Sequence, residues 1–249
     1  MIKSELDPQL RAKLVAKIRN DHEEEALKHE PSGKLSAGQL GKPLLEQCLK
    51  VIGVNTASVD DYALGLFRRG NSVEDTIIEL LEPDETQVPC EYKGCVGVID
   101  AIKDNRVYEI KSIKNSAVSY IDPDNKKRAG SFGAYSGVKY AHTLQAGLYA
   151  LALNKPDFTI IYASADDLRT YPHLVKTIDI AEEIETIIAQ VDNQLKTHTL
   201  PKWAPREEWQ AKYPQYSSYQ DWMTLEPELM MEKLKNQYSE AYKKLLNYK

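Results

Sequence analysis

Three cysteines in 249 residues, Cys48, Cys90 and Cys95, leave one thiol unpaired in any pairing scheme. That is too few for a disulfide framework and too few for a four-thiolate cluster. No iron–sulfur cluster is expected, and the count suits a reducing cytoplasm, bacterial or that of a phage's host. Long apolar runs are missing as well. No stretch approaches the roughly 18 to 20 uninterrupted apolar residues that span a bilayer, and the opening Met1-Ile-Lys-Ser-Glu-Leu-Asp7 is not a basic-then-apolar leader. The expectation is a cytoplasmic protein with no membrane association. Basic charge is not in excess either. With 32 Lys and Arg against 37 Asp and Glu, the formal net charge is −5. That excludes coating nucleic acid by bulk charge and leaves only a local basic groove.

What is present is 42% hydrophobic and 28% charged residues, enough for one substantial core with extensions. Leu10, Leu14 and Ile18 give residues 8–28 a helical period, closed by the breakers Pro31 and Gly33. A second helix follows Ser36 as N-cap, with Pro43 able to move its start later, and Gly53 stops it. Residues 59–81 suggest a third helix, firmer from Glu74 onward because Gly65 and Gly70 weaken its first half. The period then changes to two. Residues 96–102 and 107–113 read as strands of a hairpin about Asp104-Asn105. Residues 115–139 read as a long functional loop or partly helical lid. After it come a helix at 141–153, strands at 158–164 and 174–180, and a helix at 181–195. The order predicts an α/β fold, a central mixed sheet with a hairpin, flanked by helices. It divides into an amino-terminal helix (1–33), a core (34–200) and an aromatic-rich extension (201–249) ending in a helix over 226–248.

The hairpin can be read residue by residue. If Asp104 and Asn105 are the loop, Lys103 faces Arg106, and counting back sets Asp100 opposite Glu109 with Cβ atoms ~4.5–5.5 Å apart. Lys111 shares that face by strand alternation, while Ile110 points into the core. Like charges opposed on a sheet are destabilising, so folding alone gives no reason for this pair. A hard divalent cation does, since Mg²⁺ and Mn²⁺ take carboxylate oxygens, waters and substrate phosphate. The plain alternative is a solvated Asp, Glu and Lys face, because Glu-x-Lys is common by chance.

Gly97-Val-Ile-Asp100 followed by Glu109-Ile-Lys111-Ser112 resembles the core hairpin of the PD-(D/E)XK nucleases, in particular the RecB-nuclease and lambda-exonuclease branch. Ile99 stands where that family has proline. Arg69-Gly70 through Glu74 resembles the branch's upstream Gly-x-x-x-Glu element, and Gln145-Ala-Gly-Leu-Tyr149 its downstream Gln-x-x-x-Tyr element. Ser36-Ala-Gly-Gln39 resembles its amino-terminal serine motif. The likeness covers about residues 36 to 150, and the last hundred residues match nothing in it. It implies one or two Mg²⁺ or Mn²⁺ ions held by Glu74, Asp100, Glu109 and the Ile110 carbonyl. Lys111 would position or deprotonate the attacking water, making Asp100, Glu109 and Lys111 the catalytic set. Ser36, Arg69, Gln145 and Tyr149 would contact substrate, Tyr149 being equally readable as core.

His142, one turn before Gln145, reads as a surface or phosphate-contacting residue rather than a metal ligand. Lys126-Lys127-Arg128 would ordinarily be a solvated loop, yet residues 103–139 hold eight Lys or Arg against four Asp or Glu, with aromatics interleaved. That composition suits gripping a DNA strand. The expectation is a DNA exonuclease of recombination, repair or phage DNA processing, acting on a single strand or duplex end. An endonuclease, or a catalytically silent nucleic-acid-binding protein on the same fold, is the alternative. The carboxy-terminal extension docks on the core, contacts DNA, or receives a recombination or replication protein.

Overall fold

The structure, a computed structural model, describes residues 8–27, 33–54, 61–122 and 137–249. Its centre is a five-stranded sheet in the order β1 (Glu85–Tyr92), β2 (Cys95–Lys103), β3 (Arg106–Ile113), β4 (Asp157–Ser164), β5 (Thr170–Lys176). Only β3 and β4 run parallel; the other neighbours are antiparallel. A parallel pair needs a long crossover, and here it carries α4 (Asn115–Ile121) and α5 (Tyr140–Ala152). Both edge strands contain proline, Pro89 and Pro172, which an edge tolerates because one side of it needs no ladder donor.

The remaining helices are α1 (Pro8–Leu27), α2 (Leu44–Val51), α3 (Asp61–Leu81), α6 (Ala181–Lys196) and, in the extension, α7 (Glu208–Lys212), α8 (Gln220–Met223), α9 (Pro227–Gln237) and α10 (Ser239–Leu246). The α/β class and mixed sheet flanked by helices are as the sequence predicts. Among the described residues no helix is long and apolar enough to cross a membrane.

Several boundaries differ from expectation for physical reasons. Strand β1 was not foreseen, because its polar, proline-containing sequence lacks apolar alternation. The last strand is β5, ending at Lys176, and residues 177–179 form a 3-10 turn. Helix α3 runs unbroken through Gly65 and Gly70, since its buried stripe of Leu64, Val73 and Ile77 outweighs their entropic cost. Ser36 heads a 3-10 turn (Ala37–Gln39) with no side-chain cap bond, and α2 starts only after Pro43. The terminal helix breaks at Tyr238 into α9 and α10.

Both faces of the sheet are covered. On one, α5 and α6 seal a large core in which Val107, Phe158, Ile160 and Tyr162 meet Leu144, Leu148, Ile184 and Ile187. On the other, α3 sets Val73 and Ile77 against Ile110, Ile161 and Ala163. The extension joins the large core through Trp222, Met230, Leu234 and Leu245. Its polar groups reach α2 and the turn before it: Trp203 Nε1 and Ser217 Oγ donate to buried Glu46 of α2 at 3.0 and 2.8 Å, and Gln210 Nε2 donates to the Gly41 carbonyl at 2.9 Å.

Candidate active site

The β2–β3 hairpin is regular at its turn. Lys103, Ile102 and Ala101 stand opposite Arg106, Val107 and Tyr108, the register the sequence predicts. Asp104 and Asn105 close it with φ of +49° and +64°, the left-handed pair a two-residue type I′ turn requires and that Asp and Asn tolerate.

One rung further the ladder stops, which corrects the expected facing pair. Asp100 and Glu109 are not backbone partners. On the other side of β2 the rung between Gln87 and Asp100 is missing too, and Gln87 has φ +51°. With neither neighbour bonded to it, Asp100 substitutes a carboxylate for a ladder carbonyl: Oδ2 accepts the Ile110 N–H at 2.7 Å. An amide that the open ladder would have orphaned is thereby satisfied.

Alternation along β3 then sorts the side chains. Ile110 enters the smaller core under α3, whereas Glu109 and Lys111 point toward α5. The solvated-face alternative fails, because Glu109 is 0% and Asp100 8% exposed. The Lys111 ammonium lies against Glu109 Oε1, and neither oxygen of that carboxylate has a hydrogen-bond partner of acceptable geometry among the described residues. A buried carboxylate with its lone pairs unfilled is costly.

The charges act on one another across the opened strands. Burial pushes the Glu109 and Asp100 carboxyls up, and Lys111 pulls both back. Glu74, on α3, is pushed up to about 7 by burial and then by the charge of Asp100, against Lys111 and the Gln87 amide, which donates to Glu74 Oε1 at 3.1 Å. Burial disfavours the Lys111 ammonium, but Glu109, Asp100 and Glu74 together outweigh it and hold its pKa above the usual value. Glu74, Asp100, Glu109 and Lys111 therefore form one electrostatic group, although among the described residues no three acidic, His or Cys side chains cluster closely enough to hold an ion as they stand.

Helix α5 closes this group from above. Gln145 donates to the Tyr149 hydroxyl at 3.0 Å, one turn along the same face. Tyr149 is buried, and the charges of Glu109 and Asp100 add to burial in raising its hydroxyl pKa. Its ring explains Gly97: a Cβ there would sit 2.3 Å from Tyr149 Cε1 and 3.1 Å from Ala37 Cβ. The glycine of Gly97-Val-Ile-Asp100 thus makes room for the tyrosine of Gln145-Ala-Gly-Leu-Tyr149. Ser36 bridges Val96, next to Gly97, and Arg69 on α3 holds a buried Nε without a hydrogen-bond partner among the described residues. Lys126, Lys127 and Arg128 lie outside the described residues.

Two participants had no signal in the sequence. Gln87 sits on the unforeseen strand β1. Tyr162 stands opposite Lys111 on β4, a neighbour that only the parallel register reveals. His142 is not a free surface residue: its Nδ1 lies 3.1 Å from the Tyr162 hydroxyl.

No family model matches this chain, and no curated protein matches it. Solved structures do. The chain is similar to SSO0001 at 17% identity and a TM-score of 0.50, over 84% of this chain and 96% of that one. It is also similar to an alkaline exonuclease of Laribacter hongkongensis, LHK-Exo. Of two structures, the one in complex with dAMP is 14% identical at a TM-score of 0.49, covering 75% of this chain and 96% of that one. The other is 15% identical at 0.47, covering 74% and 95%. At such identities likeness bears on chain topology and not on chemistry, and the LHK-Exo overlaps are too loose to bear on either.

Proposed function

We propose that this chain is a divalent-metal-dependent nuclease that hydrolyses phosphodiester bonds of DNA, acting from strand ends. The observation that carries the reading is Glu109. Its carboxylate is fully buried beside Asp100 at the point where the sheet opens: Oε1 meets only the Lys111 ammonium, and Oε2 has no partner among the described residues. One ammonium does not offset the cost of burying this cluster of carboxylates, whereas a hard cation supplies a partner for the oxygen left over.

Glu74, Asp100, Glu109 and the Ile110 carbonyl are the oxygen donors that would hold Mg²⁺ or Mn²⁺. Bound there, the ion would supply Lewis acidity toward the phosphoryl oxygens and lower the pKa of a coordinated water. The chain's own residues do the rest. Lys111, held charged by the three carboxylates, offsets the negative charge that builds on the phosphate and orients the water for attack. The Tyr149 ring packs over Gly97 of β2, and Gln145 and Tyr149, bonded to each other, offer an amide and a phenol to the substrate strand. Ser36 stands against Val96 near the opening, and Arg69 Nε, without a hydrogen-bond partner among the described residues, suits a phosphate. Lys126, Lys127 and Arg128 would add phosphate contacts by their charge.

The test uses purified protein with end-labelled linear and covalently closed circular DNA, single- and double-stranded, in Mg²⁺, Mn²⁺ or chelator. We expect metal-dependent shortening of linear DNA, intact circles, and loss of at least about a thousandfold in Glu109→Gln, equivalent to ~4 kcal/mol of barrier. Cut circles would make it an endonuclease, and no cleavage of any substrate would defeat the reading. A second arm needs no substrate. At metal about ten times its dissociation constant the wild type should gain roughly 1.4 kcal/mol of stability. Asp100→Asn, which still accepts the Ile110 amide, should lose most of that gain.

A further inference from the structure

The nuclease reading gives His142 of α5 no task. His142 shares a helical face with Gln145, one turn on, and its ring packs 5.6 Å from that of Tyr162. Tyr162 is fully buried and stands beside Lys111 on the neighbouring strand.

The hydrogen bonds around the Tyr162 hydroxyl fix the chemistry of the imidazole. Its oxygen accepts the Lys139 N–H at 2.9 Å. Among the described residues the phenolic proton has one acceptor within reach, His142 Nδ1 at 3.1 Å. Nδ1 therefore carries the lone pair and Nε2 the hydrogen. No protein group among the described residues bonds to Nε2. Burial, reinforced by the positive charges of Lys111 and Lys139, pushes the imidazole down to about 3 and so keeps it neutral.

A neutral imidazole offers something that a second cation beside Lys111 would not. It presents one directional N–H without adding repulsion. We propose that His142 is a further substrate contact of this site, its Nε2–H donating to a phosphate oxygen of the DNA strand beside the one that Lys111 faces, with Tyr162 as the positioning residue that fixes its tautomer. The proposal rests on the nuclease reading.

A neutral donor and a cation leave different marks on binding. Each phosphate neutralised by a charge contributes ~0.7–0.9 to the slope of log affinity against log salt, while a neutral hydrogen bond contributes none. Binding of an end-labelled oligonucleotide is measured with Ca²⁺ in place of Mg²⁺, across a salt series. His142→Ala should bind about 3- to 10-fold more weakly at unchanged slope. His142→Gln, which keeps an N–H donor, should recover part of the loss, and Tyr162→Phe should lose about 3-fold, again at unchanged slope. Lys111→Met should instead flatten the slope. Wild-type affinity in His142→Ala, or a flattened slope in it, overturns the proposal. In the free protein, ¹⁵N spectra should show His142 protonated at Nε2 alone between pH 5.5 and 8, with the resonance assigned by its absence from His142→Gln. A ring protonated at Nδ1 overturns it without reference to any activity. Wild-type protein that cuts and binds DNA while His142→Ala matches it defeats this inference alone. Wild-type protein that does neither defeats the nuclease reading.

Discussion

The two ends of the β2–β3 hairpin obey different rules. At the turn, three rungs from Ala101–Tyr108 to Lys103–Arg106 pair every position, and two residues adopt left-handed φ because they are Asp and Asn. One step beyond, the ladder fails on both sides of Asp100, a carboxylate replaces a carbonyl as acceptor, and Glu109 is buried with an ammonium for company. The first end is what a chain does to fold. The second costs stability that the rest of the fold must supply, the pattern expected where a site is kept for chemistry. Substitutions at the open end should therefore change function whatever they do to stability, and those at the turn should leave function untouched.

The largest effect on stability should come from Lys111→Met. It strands a buried carboxylate, and breaking such a pair from one side costs about 3–5 kcal/mol. In metal-free buffer at pH 8 that corresponds to a loss of roughly 6–20 °C in Tm for a chain of this size. The deficit should shrink as pH falls below about 8, because Glu109, pushed up to about 8 by burial, takes up a proton there. Lys111→Met with Glu109→Gln removes both charges and should regain most of the loss. A coupling below about 0.5 kcal/mol in this double-mutant cycle would mean that the two groups do not meet.

Gly97→Ala comes next. Its methyl would enter the space of Tyr149 Cε1, and overpacking of that kind costs about 1–3 kcal/mol. Combined with Tyr149→Leu, which vacates the ring, the cost should fall below that of Gly97→Ala alone. Melting curves of the single and double variants decide it, and additive losses would show that the glycine serves the backbone rather than the tyrosine.

How far the sequence discloses this site follows from what kind of contact each part makes. The turn is local, so Asp104-Asn105 names it, and alternation from there assigns Glu109 and Lys111 to one face. The same counting fails at Asp100, because an interrupted ladder leaves no trace in residue order: its causes are the left-handed Gln87 and the Ile110 amide, on two other strands. Helices α5 and α6 show in their apolar spacing. Strand β1 does not, since an exposed edge with a proline needs no alternation. The Gly97–Tyr149 fit, the Tyr162–Lys111 neighbourhood and the docking of 201–249 onto α2 join residues distant in sequence, where periodicity carries no information.

Glu74 gives a smaller, pH-dependent effect in metal-free protein. Its carboxyl titrates near 4.5 when unfolded and near 7 when folded, so between those values the folded chain binds more protons and stability falls as pH rises. With allowance for its partial exposure, the loss is on the order of 1 kcal/mol, about 2–4 °C. Glu74→Gln should flatten the Tm profile across that window and leave it unchanged below pH 4. An equally steep profile in the variant would assign the slope to other groups.

The smallest effect belongs to the turn, and its smallness is the point. Asn105 has φ +64° and its side-chain oxygen accepts the Lys155 ammonium at the protein surface. Asn105→Gly removes that exposed contact, worth about 0–1 kcal/mol, while giving the left-handed conformation to the residue that adopts it most freely. These oppose each other, and the net change should stay within about 0.5 kcal/mol. Cleavage should be untouched, because three residues of regular strand separate the turn from Glu109 and the three rungs that set the register do not involve the Asn105 side chain. Asn105→Val keeps the register but forces a β-branched residue to positive φ, so it should cost stability, on the order of 1–2 kcal/mol, again without loss of rate in the folded fraction. Single-turnover cleavage and melting temperature, measured on both variants, separate the two quantities. If Asn105→Gly slows cleavage tenfold at unchanged Tm, the open end is not set independently of the turn, and the hairpin works as one unit.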